Sequence, residues 1–195
     1  MRVALIVPVK SFAIAKGRLA AALSDDERAH VAEECATRVI AAGGDWPTYV
    51  VCDDDAVAQW ATDHGATVVR CSDSGIDAAV RAGRRQALRD GIDHVVIAHG
   101  DLPLAHHFDH VVIADTITFV PDRHRDGTNV IAMPATSPFE TAYGPGSYAR
   151  HVERANADKL THLTVEDNDL ALDLDTADDL AELQTRGEIT KGPPS

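Results

Sequence analysis

The sequence predicts an α/β protein of one domain, with a mostly parallel sheet covered by helices. Three observations carry this. Short apolar runs alternate with stretches of helical periodicity, the order produced when helices join parallel strands. The run His94–His99 is almost continuously apolar between its histidines, as in a strand buried on both faces. The chain has 195 residues, 45% of them apolar and 25% charged. That fills one core without disulfide or metal staples.

Val3–Val9 reads as the first strand. Ser24-Asp25-Asp26-Glu27 has capping-box spacing and opens a helix toward Ala42. Thr48–Cys52 is the second strand. Asp54 or Asp55 caps a helix to His64. Thr67–Val69 is a short third strand, and Ile76–Arg89 is helical. His94–His99 is the central strand. Phe108–Thr116 reads as a helix, then Thr118–Val120 and Asn129–Met133 as strands joined by a polar loop. Ser147–Ala155 is a helix, and Leu160–Val165 and Asp169–Leu172 read as strands. Thr176 caps a last helix to about Arg186. The domain is therefore taken as residues 1–186, with 187–195, containing Gly192-Pro193-Pro194, as a flexible tail.

Composition excludes several classes. The net charge is −13, with 23 Asp and 8 Glu against 14 Arg and only 4 Lys. General nucleic-acid binding wants a basic face and is disfavoured. The sequence has no stretch of 18 apolar residues, so no membrane-spanning helix is expected. Val3–Val9 lacks a basic lead and a cleavage site, so it reads as a strand and not a signal peptide. Cys35, Cys52 and Cys71 form no CxxC pair, which fits a reduced, cytoplasmic protein. No GxGxxG follows the first strand, and there is no GxxxxGK[ST] and no GxSxG.

Four segments carry chemistry. Pro8-Val9-Lys10-Ser11 through Ala15-Lys16-Gly17-Arg18-Leu19 follows the first strand at the edge where open α/β sheets bind ligands. Lys10, Lys16 and Arg18 are gathered there in a chain with few lysines. With the loop N–H groups they either cradle a polyphosphate or are ordinary solvated charges. Gly100-Asp101-Leu102-Pro103 follows the central strand. A carboxylate there needs a cation or donors and suits magnesium, or else it caps a turn. In Leu172-Asp173-Leu174-Asp175-Thr176, an extended backbone points both carboxylates to one side, about 7 Å apart. They and Asp101 are a candidate set for one or two metal ions, unless Asp175 only caps the next helix. Gly127-Thr128-Asn129 and Gly144-Pro145-Gly146-Ser147 are small, donor-rich loops, and Ser147 at a helix start offers an anion site. Either loop also reads as a plain turn. His106, His107 and His110 cluster, but no carboxylate or Cys partner has metal spacing, so they read as a solvated helix end. Arg81, Arg84, Arg85 and Arg89 read as a solvent face. The cysteines read as core fillers.

Taken in order, these motifs resemble the 2-phospho-L-lactate guanylyltransferase family, including its phosphoenolpyruvate guanylyltransferases, from Val7 to Leu183. Pro121-Asp122-Arg123-His124, Tyr143 before Gly144, Ala149-Arg150-His151 and Asp179-Leu180 complete the match. The chain departs at Asp77, where the family usually has Asn, at Arg125-Asp126 in place of a second Gly-Thr, and at Ala177 in place of Pro. The resemblance implies a nucleotidyltransferase fold, similar to glycosyltransferase-A domains, with a mixed, mainly parallel sheet. It implies that Asp101, Asp173 and Asp175 hold Mg²⁺ and that Thr128, Gly144 and Ser147 contact a phosphorylated three-carbon acid. Pro8, Val9, Lys10, Lys16 and Asp77 would meet GTP, with Lys16, Arg18 and Asp101 as the catalytic set. The implied reaction joins GMP from GTP to phosphoenolpyruvate or 2-phospho-L-lactate and releases pyrophosphate, in biosynthesis of the deazaflavin coenzyme F-420. It also implies a homodimer and handover of the reactive product to the next enzyme. The alternatives are a same-fold nucleotidyltransferase using 3-phosphoglycerate or another base, a metal-dependent glycosyltransferase, and a non-catalytic nucleotide-binding protein.

Overall fold

A computed structural model describes residues 1–186, and the expected tail at 187–195 lies outside the described residues. The strands are β1 (Val3–Pro8), β2 (Thr48–Cys52), β3 (Thr67–Arg70), β4 (His94–Ala98), β5 (Ile117–Pro121), β6 (Thr128–Pro134) and β7 (His162–Thr164). They form one seven-stranded sheet in the order β3-β2-β1-β4-β6-β5-β7. β3, β2, β1 and β4 are parallel, with Leu5 opposite Thr48 and Val3 opposite His94. β6 runs against both neighbours, with Ala98 opposite Val130 and Thr118 opposite Ala132, while β5 and β7 are parallel. The sheet is thus mixed and mainly parallel. Reversal of β6 brings its first residue, Thr128, to the edge where the parallel strands end.

The helices are α1 (Asp25–Ala42), α2 (Asp55–Asp63), α3 (Ile76–Arg89), α4 (Ser147–Ala157) and α5 (Ala177–Thr185). Side-chain alternation along β1 sorts them. Leu5 and Val7 pack with α1 and α2 through Val39, Val57 and Trp60. Ala4 and Ile6 pack with α3 and α4 through Val80, Ala82 and Ala155. α3 seats so closely that a Cβ on Gly83 would lie 2.6 Å from Ile6 Cγ2. A smaller cluster of Leu19, Cys35, Leu104, Leu172, Leu174 and Leu183 ties the loop after β1 to α5 and the segment before it. The expected caps form: Ser24 and Glu27 make a reciprocal box, Asp54 caps α2, and Thr176 caps α5.

Four expectations fail locally. Phe108–Thr116 is not a helix; only a 3₁₀ turn forms at Asp109–Val111, with Asp115 left-handed at φ 54°. The β-branched run Val111-Val112-Ile113 disfavours a helix there. Asp169–Leu172 is a turn and not a strand, because Asp167 Oδ1 accepts from the N–H groups of Asp169 and Leu170, both at 2.9 Å. Such side-chain capture of backbone donors competes with strand pairing. Arg84 leaves the expected solvent face and is 8% exposed, donating to the carbonyls of Phe139 (2.7 Å) and Ser137 (2.5 Å). His106, His107 and His110 flank a 3₁₀ turn and not a helix end, and two of them meet carboxylates: His110 Nε2 lies 2.8 Å from Asp167 and His106 Nδ1 lies 3.9 Å from Asp169.

Candidate active site

The loop leaving β1 makes two 3₁₀ turns, Phe12–Ile14 and Gly17–Leu19, with Lys16 between them in the left-handed conformation (φ 57°, ψ 35°). The Lys16 side chain is 5% exposed, and its Nζ donates to Asp101 Oδ2 at 2.9 Å and Asp175 Oδ1 at 3.1 Å. Burial works against the ammonium, but Asp101 and Asp175 together outweigh it and hold its pKa well above the ordinary lysine range. A similar balance acts on Asp101: burial is the largest influence and pushes the carboxyl up, but Lys16 and His99 together outweigh it and leave it below the usual carboxylate range. Arg18 is the exposed second cation, 4.0 Å from Asp175.

Two carboxylates arrive from the carboxyl side of the chain. Leu172 and Leu174 are buried, and Leu174 N–H donates to Asp101 O at 3.0 Å. That alternation leaves Asp173 and Asp175 on the other side of the strand-like segment. Asp175 does not cap α5, because Thr176 does that with Asp179. Among the described residues Asp173 gains no such cation: burial first, then Asp101, raises its pKa to about 6. Asp101 Oδ1 is buried without a hydrogen-bond partner. These are hard oxygen donors with unsatisfied charge, the chemistry that suits Mg²⁺. Among the described residues, no three His, Cys, Asp or Glu side chains converge as a ready cage. Magnesium does not require one, since it takes one or two carboxylates and completes its shell with water and phosphate oxygens.

A cleft of about 850 Å³ opens beside this cluster, lined by Pro8, Val9, Lys10, Ser11, Lys16, Gly75, Ile76, His99, Gly100, Asp101 and Asp175 among others. Asp77, Thr128, Gly144, Ser147 and Asp173 are not among its lining residues. Asp77 Oδ1 instead accepts from Thr141 Oγ1 at 2.6 Å and Tyr143 N–H at 3.2 Å. Thr128 and Ser147 are buried, and Gly144 (φ 115°) and Gly146 (φ 70°) shape the entry to α4.

Aromatic rings connect the two groups. His99 and Tyr143 have centroids 5.3 Å apart, and Tyr143 and His151 5.1 Å. Ala142 N–H donates to His151 Nε2 at 2.8 Å, which makes that nitrogen the acceptor and leaves the proton on Nδ1, 3.0 Å from Thr128 Oγ1. Burial lowers the His151 pKa to about 4, so the ring stays neutral. His99 Nε2 and Tyr143 Oη are buried without partners.

From the sequence, His99 and Asp179 carry no expected role in the site. His99 could have been found from its place at the carboxyl end of the central strand. Asp179 could have been found from its capping spacing after Thr176. Its Oδ2 accepts from Asp175 N–H (3.0 Å) and Thr176 N–H (2.6 Å), while Oδ1 meets Arg123 Nη2 at 2.6 Å. Burial raises the Cys35 thiol to about 12, so it is no nucleophile.

The chain resembles known proteins over nearly its full length. It is 36% identical over 187 residues to a phosphoenolpyruvate guanylyltransferase of Sphaerobacter thermophilus, covering 91% of this chain and 90% of that one. It is 32% identical over 202 residues to a 3-phospho-D-glycerate guanylyltransferase of Phenylobacterium zucineum, covering 96% and 89%. In fold it is similar to a putative nucleotide-diphospho-sugar transferase of Desulfovibrio desulfuricans, with TM-score 0.74 at 15% identity over 96% of this chain and 88% of that one. A 4-diphosphocytidyl-2C-methyl-D-erythritol synthase of Anaerococcus prevotii follows at TM-score 0.62 and 10% identity, covering 96% and 99%. The sequence pattern of the guanylyl transferase CofC-like family matches residues 2–193. With a nucleotidyltransferase sheet, a cation-bearing loop at its carboxyl edge and that match, the chain belongs to the CofC-like guanylyltransferases.

Proposed function

We propose that this chain transfers GMP from GTP to a phosphorylated three-carbon acid and releases pyrophosphate, in the biosynthesis of coenzyme F-420. The observation that carries the reading is the Lys16–Asp101–Asp175 cluster, drawn from three distant parts of the chain into the lining of one cleft. Phosphoenolpyruvate is the favoured acid, after the Sphaerobacter relative's name. 3-Phosphoglycerate is the second reading, after the Phenylobacterium relative's name. 2-Phospho-L-lactate completes the panel.

Asp101, Asp173 and Asp175 would hold Mg²⁺, which when bound neutralises phosphate charge and positions the reacting phosphates. The attacking group is a phosphate oxygen, already anionic at neutral pH, so this chain need supply no general base. Its residues act by positioning and charge neutralisation. Lys10, Lys16 and Arg18 lie along the loop where the triphosphate would rest, and Lys16 and Arg18 offset charge on the departing pyrophosphate. His151, held neutral, donates to Thr128 Oγ1 and leaves the hydroxyl proton free to turn toward the acid.

The test is Mg²⁺-dependent pyrophosphate release from each of the four NTPs with phosphoenolpyruvate, 2-phospho-L-lactate, 2-phosphoglycerate and 3-phosphoglycerate. Release with GTP and one acid is expected. GTP binding with silence in every pair would leave a non-catalytic nucleotide-binding protein, and hydrolysis of a sugar nucleotide to sugar and nucleoside diphosphate without any phospho-acid would make it a glycosyltransferase.

A further inference from the structure

We propose that Lys16 is a built-in cation that competes with the divalent metal for Asp101 and Asp175, and that nucleotide phosphates draw it away, so metal and nucleotide bind cooperatively. This rests on the guanylyl-transfer reading for the location of the metal and the phosphates.

The Lys16 ammonium takes Asp101 Oδ2 and Asp175 Oδ1 at 2.9 and 3.1 Å. A divalent ion bound to those oxygens sits closer still, at about 2.1 Å. A metal on those same two oxygens would stand within a few ångströms of the ammonium, and in a partly buried site the repulsion between the two cations is weakly screened. Removing a lysine from its carboxylates without replacement strands buried charge on both sides. The exchange becomes favourable when metal takes the carboxylates and phosphate takes the ammonium together.

The loop is built to let the side chain move. Lys16 holds a left-handed conformation between two single 3₁₀ turns, and its neighbours Ala13, Ile14, Gly17 and Arg18 are exposed. Lys16 lines the same cleft as Lys10 and Ser11, so it reaches incoming phosphates without leaving the cleft. Arg18, with 79% of its side chain exposed, does not contest the carboxylates in this way.

The coupling is reciprocal and is read without turnover. Mn²⁺ serves as a spectroscopic stand-in for Mg²⁺ on the nucleotide-free protein. Lys16→Met is expected to bind Mn²⁺ at least tenfold more tightly than wild type. It should also melt lower without metal and regain stability on adding MgCl₂, to which wild type alone responds little. Because removing Lys16 leaves Asp101 without its cation, a second measurement uses the wild-type chain. Its four lysines can be followed by NMR of ¹³C-labelled lysine Cε. The Lys16 signal should stay in place with MgCl₂ alone and move when GTP is added with it. Equal Mn²⁺ affinity in the two proteins, or a Lys16 signal that moves with MgCl₂ alone, overturns the proposal. If guanylyl transfer fails while the Mn²⁺ and NMR results hold, the proposed reaction falls and the competition stands.

Discussion

Asp173 is the residue at which charge and burial conflict most openly. Its carboxyl is held near pH 6 by burial and by Asp101, against an ordinary value of 3.8. Folding therefore works against its ionised form, and no cation pairs with it among the described residues. Asp173→Asn is expected to raise stability by about 1–2 kcal/mol at pH 7.5, after discounting for its partial exposure. It is expected to lower guanylyl transfer by orders of magnitude. Melting in EDTA and turnover with Mg²⁺ check the two halves, and a variant that melts lower, or turns over normally, contradicts the assignment. This residue, Asp101 and Asp175 were legible in the sequence. A carboxylate after a central strand and a pair spaced by two in an extended segment both signal position without knowledge of the fold. The burial of Lys16 was not legible, because its partner Asp175 is 159 positions away. Nor was the buttress from Arg123 through Asp179 to the backbone of Asp175, for the same reason.

At the scale of elements, α3 shows how close packing sets geometry. Gly83 lies against β1 and β2, where an added Cβ would stand 2.6 Å from Ile6 Cγ2 and 3.1 Å from Val51 Cγ2. Gly83→Ala is expected to cost about 2 kcal/mol despite the better helix propensity of alanine. Urea unfolding measures it, and a midpoint at or above wild type would show that α3 shifts without cost. Strands and helices with strong local signals were legible: β4 by its apolar run, α1 and α5 by their caps. Elements decided by competition were not. Asp167 captures two backbone N–H groups and turns what reads as a strand into a loop. Arg84 has the helical spacing of a solvent face, yet carbonyls at Phe139 and Ser137 draw it inside. Local sequence cannot register acceptors supplied more than 50 residues later.

Across the whole molecule, buried imidazoles set the response to acid. His94 and His151 are buried, and burial lowers both pKa values, that of His151 to about 4 from 6.5. Between those limits the unfolded chain binds more protons than the folded one, so stability is present above pH 6.5 and is lost as pH falls toward 4. His151 alone contributes a loss of about 3 kcal/mol over that window. Asp173, whose pKa is raised, acts with the opposite sign in part of the same range. The urea midpoint is therefore followed from pH 7.5 to 4.5 in Asp173→Asn, where it is expected to fall steeply. A flat profile there would mean that His151 keeps its proton in the folded state.

The span between Lys16 and Asp175 also orders events in time. Parallel pairing of β1 with β2 needs only the first third of the chain, and pairing with β4 needs about half. A chain emerging amino end first can form this part of the sheet early. The site closes only when Leu174 hydrogen-bonds to Asp101 and α5 docks, after nearly all the described residues have been made. Until then the lysine lacks one of its two counter-charges. Recovery of nucleotide binding on refolding should therefore lag the return of helical signal, and the active cleft is the molecule's own record that the last helix has found its place.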